Sequence, residues 1–228
     1  YMLTLLNSDF EEWHRKFPEK PLEEFPFRIS KMSRSGALFD LDKLNDISKT
    51  ELSALSAEEM LSFLREWAFA YGTQKEQAYF TDEAYLLKVL SLCMGIGGKK
   101  RRKDFITAKQ AMGEIVYFFG DYVQKDDYRV DIATRDAVLR KFLETYDPSD
   151  DAQMWFAKVK QTAAELGFAA EMRDYKANPG AYKGSVSDVA EVLRVAVTGR
   201  ANSPDLWTIM QIFGEERTRT RIAHAMAE

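Results

Sequence analysis

Five consecutive cations, Lys99-Lys100-Arg101-Arg102-Lys103, follow Gly95-Ile96-Gly97-Gly98. Cations on a glycine hinge can clamp RNA phosphates, because each contact releases counterions and adds sequence-independent affinity. A nucleotide-binding P-loop is excluded here. It requires glycine five residues before Gly98 and Ser or Thr after Lys99, where Cys93 and Lys100 stand. Two other sets could supply positive charge: Arg173, Lys176 and Lys183, and then Arg217, Arg219 and Arg221. For each set a solvated face is the competing reading. The formal net charge of -4 is opposite to the footprint of a nucleic-acid-binding domain, so any attraction for RNA must be local.

Other chemistry is thin. His14 and His224 are isolated, Cys93 lies on an apolar helix face, and the chain has 1 cysteine in all, which rules out an internal disulfide. No Ser-His-Asp or Cys-His arrangement is readable. The carboxylate pairs Asp126-Asp127, Asp150-Asp151 and Glu215-Glu216 sit at helix starts and turns, where they complement helix dipoles. Trp13, Trp67, Trp155 and Trp207 read as core, although one of them, or Tyr175 or Tyr182, could stack on an unpaired base. No metal site and no catalytic residue is expected.

The elements that must carry these residues are helices. At 46% hydrophobic the 228 residues can bury a real core, and no apolar run approaches the ~20 residues of a membrane span. Ser56 with Glu59 fits a capping box, followed by Met60, Phe63, Leu64, Trp67 and Tyr71 at spacings of three and four, with Gly72 as the stop. Thr81 with Asp82 and Glu83 begins a helix with Leu86, Val89, Leu90 and Cys93 inward, ended by Gly95. Apolar stretches near 105–123 and 131–145 follow, the latter closed by Asp147-Pro148. Ser149 or Asp150 caps a helix bearing Trp155, Val159, Ala163 and Leu166, ended by Gly167; Ser187 or Asp188 opens the next. Ser203 is expected to cap the helix after Pro204, with Leu206, Ile209, Met210 and Phe213 on its inner face and Gly214 as its stop. A last helix turns Ile222, Ala225 and Met226 inward. The only strand expected is a short one at Phe25-Pro26-Phe27-Arg28-Ile29.

Arg194-Val195-Ala196-Val197-Thr198-Gly199-Arg200, then Ser203-Pro204-Asp205-Leu206 and Gly214-Glu215-Glu216, resembles the RxAxTGxxxxxPxLxxxxxxxGxE close of bacterial glutamyl-tRNA synthetases. Upstream, Ser35 to Asn45 is similar to that family's SxAxFDxxKLxxxN stretch, which follows its catalytic half. Glu165-Leu166-Gly167-Phe168 and the segment from Tyr175-Lys176 to Tyr182-Lys183-Gly184 extend the likeness. Lys31-Met32-Ser33-Arg34-Ser35 resembles the KMSKS loop that holds ATP phosphates in class I synthetases. The thirty residues before Lys31 hold no nucleotide-binding domain and no HxGH motif, so this stretch reads as a turn before a helix capped by Asp40. Lys31 or Arg34 would touch RNA backbone at most.

The resemblance implies an all-α fold: two helical-bundle subdomains of the anticodon-binding cage type, at 51–148 and 149–228, after an irregular connector at 1–50. It implies the non-catalytic C-terminal part of an ATP-using ligase, excised from a longer chain that begins before Tyr1. ATP and Mg would then belong to a missing catalytic domain, with no cofactor in this part and no activity of its own. Glutamate-type tRNA is the implied partner, with the glutamine type left open. DNA and membrane are not, and a cytoplasmic monomer is expected. Arg194, Ser203 and Leu206 would surround the last anticodon base, and Lys99, Lys100, Arg101, Arg102 and Lys103 are the candidates for backbone contact. A helical protein-binding adaptor that no longer binds RNA is the rival reading, favoured by the acidic net charge.

Overall fold

The computed structural model describes residues 1–32, 38–120 and 126–227. Among these no strand forms; one isolated bridge pairs Ala169 with Ser185. The expected strand at 25–29 is replaced by two 3-10 turns, Leu22–Glu24 and Ile29–Lys31. Pro26 has no amide to give a ladder, and the Arg28 carbonyl accepts instead from Asn7 Nδ2 at 2.8 Å. Before these turns, α1 (Met2–Leu6) and α2 (Phe10–Lys16) build a small aromatic cluster of Phe10, Trp13 and Phe25, with Phe10 and Phe25 centroids 5.1 Å apart. Of the KMSKS-like stretch, Lys31 pairs with Asp9 at 3.4 Å, while Ser33 to Ser35 lie outside the described residues.

Local chemistry starts each following helix. In α3 (Leu41–Ala54) Asp40 accepts from the Lys43 amide at 2.9 Å. In α4 (Ala57–Tyr71) both halves of the Ser56–Glu59 capping box are present. Met60 and Leu64 of the expected stripe are buried and Trp67 packs against the core, but Leu61 and Ala68 complete the inner face in place of Phe63 and Tyr71. Phe63 and Tyr71 face out, because the stripe drifts to the side that meets α6 (Glu83–Met94) and α7 (Ala108–Ile115). The short α5 (Gln74–Ala78) joins α4 to α6. Leu86, Val89, Leu90 and Cys93 of α6 are all buried, in agreement with their spacing. A 3-10 turn, Val116–Phe119, ends the apolar stretch begun at Phe105.

α8 (Ile132–Thr145), α9 (Ala152–Glu165), α11 (Val186–Thr198) and α12 (Leu206–Ala227) pack on one another, with the short α10 (Met172–Ala177) on the outside. Three caps differ from expectation. Asp151 caps α9, because Asp150 is engaged by Lys158 at 2.5 Å. Ser185 caps α11, in a box with Asp188. Asp205 rather than Ser203 caps α12, accepting from the Thr208 amide at 2.8 Å. Gly214, at φ 74, breaks α12 into two helical runs, consistent with its expected place as a stop. A single apolar core runs through both bundles, from Leu52 to Ala225, and contacts of α12 with α6 tie them together.

Candidate nucleic-acid interface

The basic run sits on a tight reversal after α6. Gly95 closes that helix in the left-handed region, at φ 67, where an added Cβ would meet the Lys100 carbonyl at 2.8 Å. The chain then folds back until the Arg102 amide reaches the Met94 carbonyl at 2.9 Å. This places Lys99 and Lys100 at the exposed tip, in no ion pair among the described residues. The other three cations are differently committed. Arg101 turns inward to the C-terminal carbonyls of α3, with Nε donating to Ser53 O at 3.0 Å and Nη2 to Leu55 O. Arg102 pairs with Asp104 at 2.6 Å, and Lys103 donates to Thr50 Oγ1 at 3.1 Å while staying exposed. The expectation of five solvent-facing cations is corrected: Arg101 is a clamp on the end of a helix.

Arg194 and Ser203 come together as the resemblance implied, by a route the sequence does not display. Arg194 leaves the third turn of α11 and its Nη1 donates to Ser203 Oγ at 2.6 Å, Pro204 O at 3.0 Å and Ser203 O at 3.3 Å. Ser203 is therefore occupied as a partner of Arg194, which is why it does not cap. All three bonds leave from Nη1, so among the described residues the Nε–Nη2 edge keeps its two-donor fork, the geometry that matches paired base acceptors. Burial pushes the Arg194 guanidinium down from its ordinary range, with Asp205 and Glu191 acting the other way. Glu191 itself pairs with Arg129 at 3.1 Å rather than with Arg194. Leu206 is 2% exposed and lies in the core, so in this structure it packs the helix and shows no face to a base.

The two sequence-distant segments share one cleft of about 360 Å³. Arg102, Lys103, Phe105 and Ile106 form one wall; Arg200, Ser203 and Pro204 form the other. Arg200 bridges them, paired with Glu114 and donating to Gly113 O at 2.7 Å, with its guanidinium 5.4 Å from the Tyr117 ring centre. Gly199, at φ 73, lets the chain leave α11 toward Arg200. The basic loop, through Arg102 and Lys103, and the closing motif thus face each other across one groove.

Residues 180–226 match the anticodon binding domain model. The chain is 47% identical to the glutamate–tRNA ligase of Acetivibrio thermocellus over 225 residues, covering 97% of this chain and 41% of that protein. It is 37% identical to the glutamate–tRNA ligase of Clostridium perfringens (97% and 42%) and 36% identical to that of Sorangium cellulosum (98% and 40%). The chain corresponds to the C-terminal, anticodon-binding portion of glutamate–tRNA ligases. It spans about two fifths of the length of these relatives. The fold agrees with the crystal structure of the glutamate-tRNA synthetase of Elizabethkingia anophelis, with a TM-score of 0.57 over 89% of this chain and 34% of that one, at 16% identity.

Within this ligase portion the third basic set is internal. Arg217 donates to Phe118 O at 2.8 Å, Arg219 to Tyr146 O at 3.0 Å, and Arg221 to Val197 O at 2.7 Å. Each reaches a backbone carbonyl on another element, so these arginines fasten α12 to both bundles. Arg173 and Lys176 are exposed, and Lys183 lies along Gly167. Sequence reasoning misses Lys49, Glu114, Tyr117 and Arg200 of the cleft. Only Arg200 carries a signal, standing directly after Gly199 in the closing motif.

Proposed function

We propose that this polypeptide binds the anticodon loop of glutamate-type tRNA on behalf of a longer ligase that joins glutamate to tRNA using ATP. One observation supports the reading most directly: Arg194 holds Ser203 on one wall of a cleft whose opposite wall carries Arg102 and Lys103, and among the described residues its Nε–Nη2 edge has no partner. A guanidinium edge reads base acceptors, whereas lysines at a loop tip track phosphates, and single-stranded loops offer both. We place the junction of the two helical units so that α8 belongs with α9, α11 and α12, on which it packs. Residues 1–50 serve as a connector. ATP and Mg act in the remainder of the ligase, and this portion alone carries out no aminoacylation. We take it to work as a monomer in the cytoplasm; no helix among the described residues is long and apolar enough to cross a membrane. The adaptor reading keeps only the acidic net charge in its favour.

Nuclease footprinting tests this. The chain should protect the anticodon loop of a glutamate tRNA from single-strand cleavage and leave the acceptor arm open. Protection of the acceptor arm alone, or none at saturating protein, would refute it. Glutamate-dependent ATP–pyrophosphate exchange by the purified chain would equally contradict the assignment of catalysis to the remainder.

A further inference from the structure

We propose that Arg200 and Asp126 are positioning residues for base recognition: neither touches the RNA, and together they fix where Ser203 and Arg194 stand. This rests on the anticodon-binding reading above and adds to it the residues on which base discrimination depends.

The stretch 199–204 leaves α11 at Gly199 and carries Ser203, to which Arg194 donates. A segment without regular structure keeps one position only where contacts hold it. Here the contacts come from parts of the chain remote in sequence. Arg200 is 8% exposed, and its guanidinium bonds twice to the last turn of α7. Nη1 pairs with the Glu114 carboxylate and Nη2 donates to Gly113 O at 2.7 Å. Two bonds from one planar group fix orientation as well as distance. Asp126, exposed ahead of α8, ties the backbone of the same loop. Its amide donates to Gly199 O at 3.2 Å, and its carboxylate accepts from the Ala201 amide at 2.7 Å.

These ties reach Arg194 from both ends. Thr198 is fully buried; its Oγ1 accepts from the Arg200 amide at 3.2 Å and donates to Arg194 O at 2.8 Å. Arg194 is therefore set at its backbone through Thr198 and at its guanidinium through Ser203. Recognition geometry tolerates displacements of only about 0.5 Å, so a loosened loop would blunt discrimination before it cost much binding. Arg200 itself is poorly placed for a phosphate, because Glu114 matches its charge and both terminal nitrogens are engaged.

The test uses the 228-residue chain, a glutamate tRNA and the same tRNA changed at its last anticodon base. The readout is the ratio of the two affinities. Both are measured on one preparation, so any unfolded fraction cancels. Glu114→Ala releases Arg200 while leaving it in the chain. The ratio should fall about fivefold, with the salt slope on the matched tRNA unaltered. A freed Arg200 acting as a phosphate contact would instead steepen the slope and preserve the ratio, which overturns the proposal. Arg200→Lys keeps the charge and loses the planar fork, and it should lower the ratio similarly; a wild-type ratio there also overturns it. Asp126→Ala and Asp126→Asn remove the same charge, but only the first removes the acceptor. Alanine should lower the ratio about threefold and asparagine should hold it near wild type. Equal ratios in the two variants would strike Asp126 from the pair. A lowered Tm with an unchanged ratio in every variant makes the ties structural and refutes the inference while the anticodon reading stands. If wild type binds both tRNAs alike, the anticodon reading has failed and the inference with it.

Discussion

Two basic stretches, 99–103 and 217–221, differ in what the fold does with their charge. In the second, Arg217, Arg219 and Arg221 all point at carbonyls of other elements, and Arg221 is 7% exposed. In the first, only Arg101 does this, while Lys99 and Lys100 stand in solvent. The difference lies in what surrounds each run. A helix crossing two bundles passes orphaned carbonyl ends that need donors, whereas a glycine reversal lifts its tip away from every acceptor. Guanidinium with several donors suits the first task, and a compact ammonium on a flexible stem suits phosphate. Cation density alone therefore says little about RNA binding; the side-chain type and the backbone beneath it say more.

The comparison can be broken by mutation. Arg221→Ala carries the largest expected effect, about 2–4 kcal/mol of stability, because it strands the Val197 and Tyr117 carbonyls and strips the cation from the Phe213 face. Denaturant unfolding measures it; a loss under about 1 kcal/mol would mean the clasp is ornamental. Arg101→Ala should cost about 1–2 kcal/mol by uncapping α3, with the salt dependence of RNA binding unaltered. A shallower salt slope in that variant would return Arg101 to the RNA. Lys99→Ala with Lys100→Ala should do the reverse. Stability should hold, and the log–log slope of tRNA affinity against salt should fall by roughly 0.7 to 0.9 for each phosphate left unneutralised.

The smallest effect is in acid. Hydrogen bonds from the Thr134 amide and hydroxyl hold Asp131 below its ordinary range, and those from the Ser149 hydroxyl and amide do the same for Asp147. Their native values lie below their unfolded ones, so the stability they add is present above the ordinary carboxylate range. It is lost as pH falls through the depressed native values. Asp131→Asn retains the cap without the charge, and its Tm should decline less steeply between neutral pH and pH ~3. An unchanged decline would place the acid sensitivity elsewhere.

What the sequence displays follows the range of the interaction. The Ser56–Glu59 box, the Asp40 cap and the Gly95 and Gly214 stops are written within four residues, and all are legible. Ser203 reads as a cap because two oxygen-bearing side chains precede α12. The choice between them is made by Arg194, nine residues upstream. The stripe on α4 misleads for a related reason: aromatic residues suggest an inner face, but packing partners choose Leu61 and Ala68. In the site, Arg194 and Ser203 are recognisable as a pair from the closing motif, whereas Tyr117 and Lys49 carry no local mark. They acquire meaning only when the fold brings distant stretches of the chain to one cleft.

The most direct measurement is the affinity of the chain for a glutamate tRNA and for the same tRNA changed at its last anticodon base, each with wild type and Arg194→Ala. If the Nε–Nη2 fork reads that base, wild type discriminates, and Arg194→Ala loses about 1–3 kcal/mol on the matched tRNA and little on the altered one. Equal weakening of both tRNAs with the fold intact would make Arg194 a backbone contact. No weakening of either would contradict the account and leave Arg194 as a brace for the loop at Ser203 and Pro204.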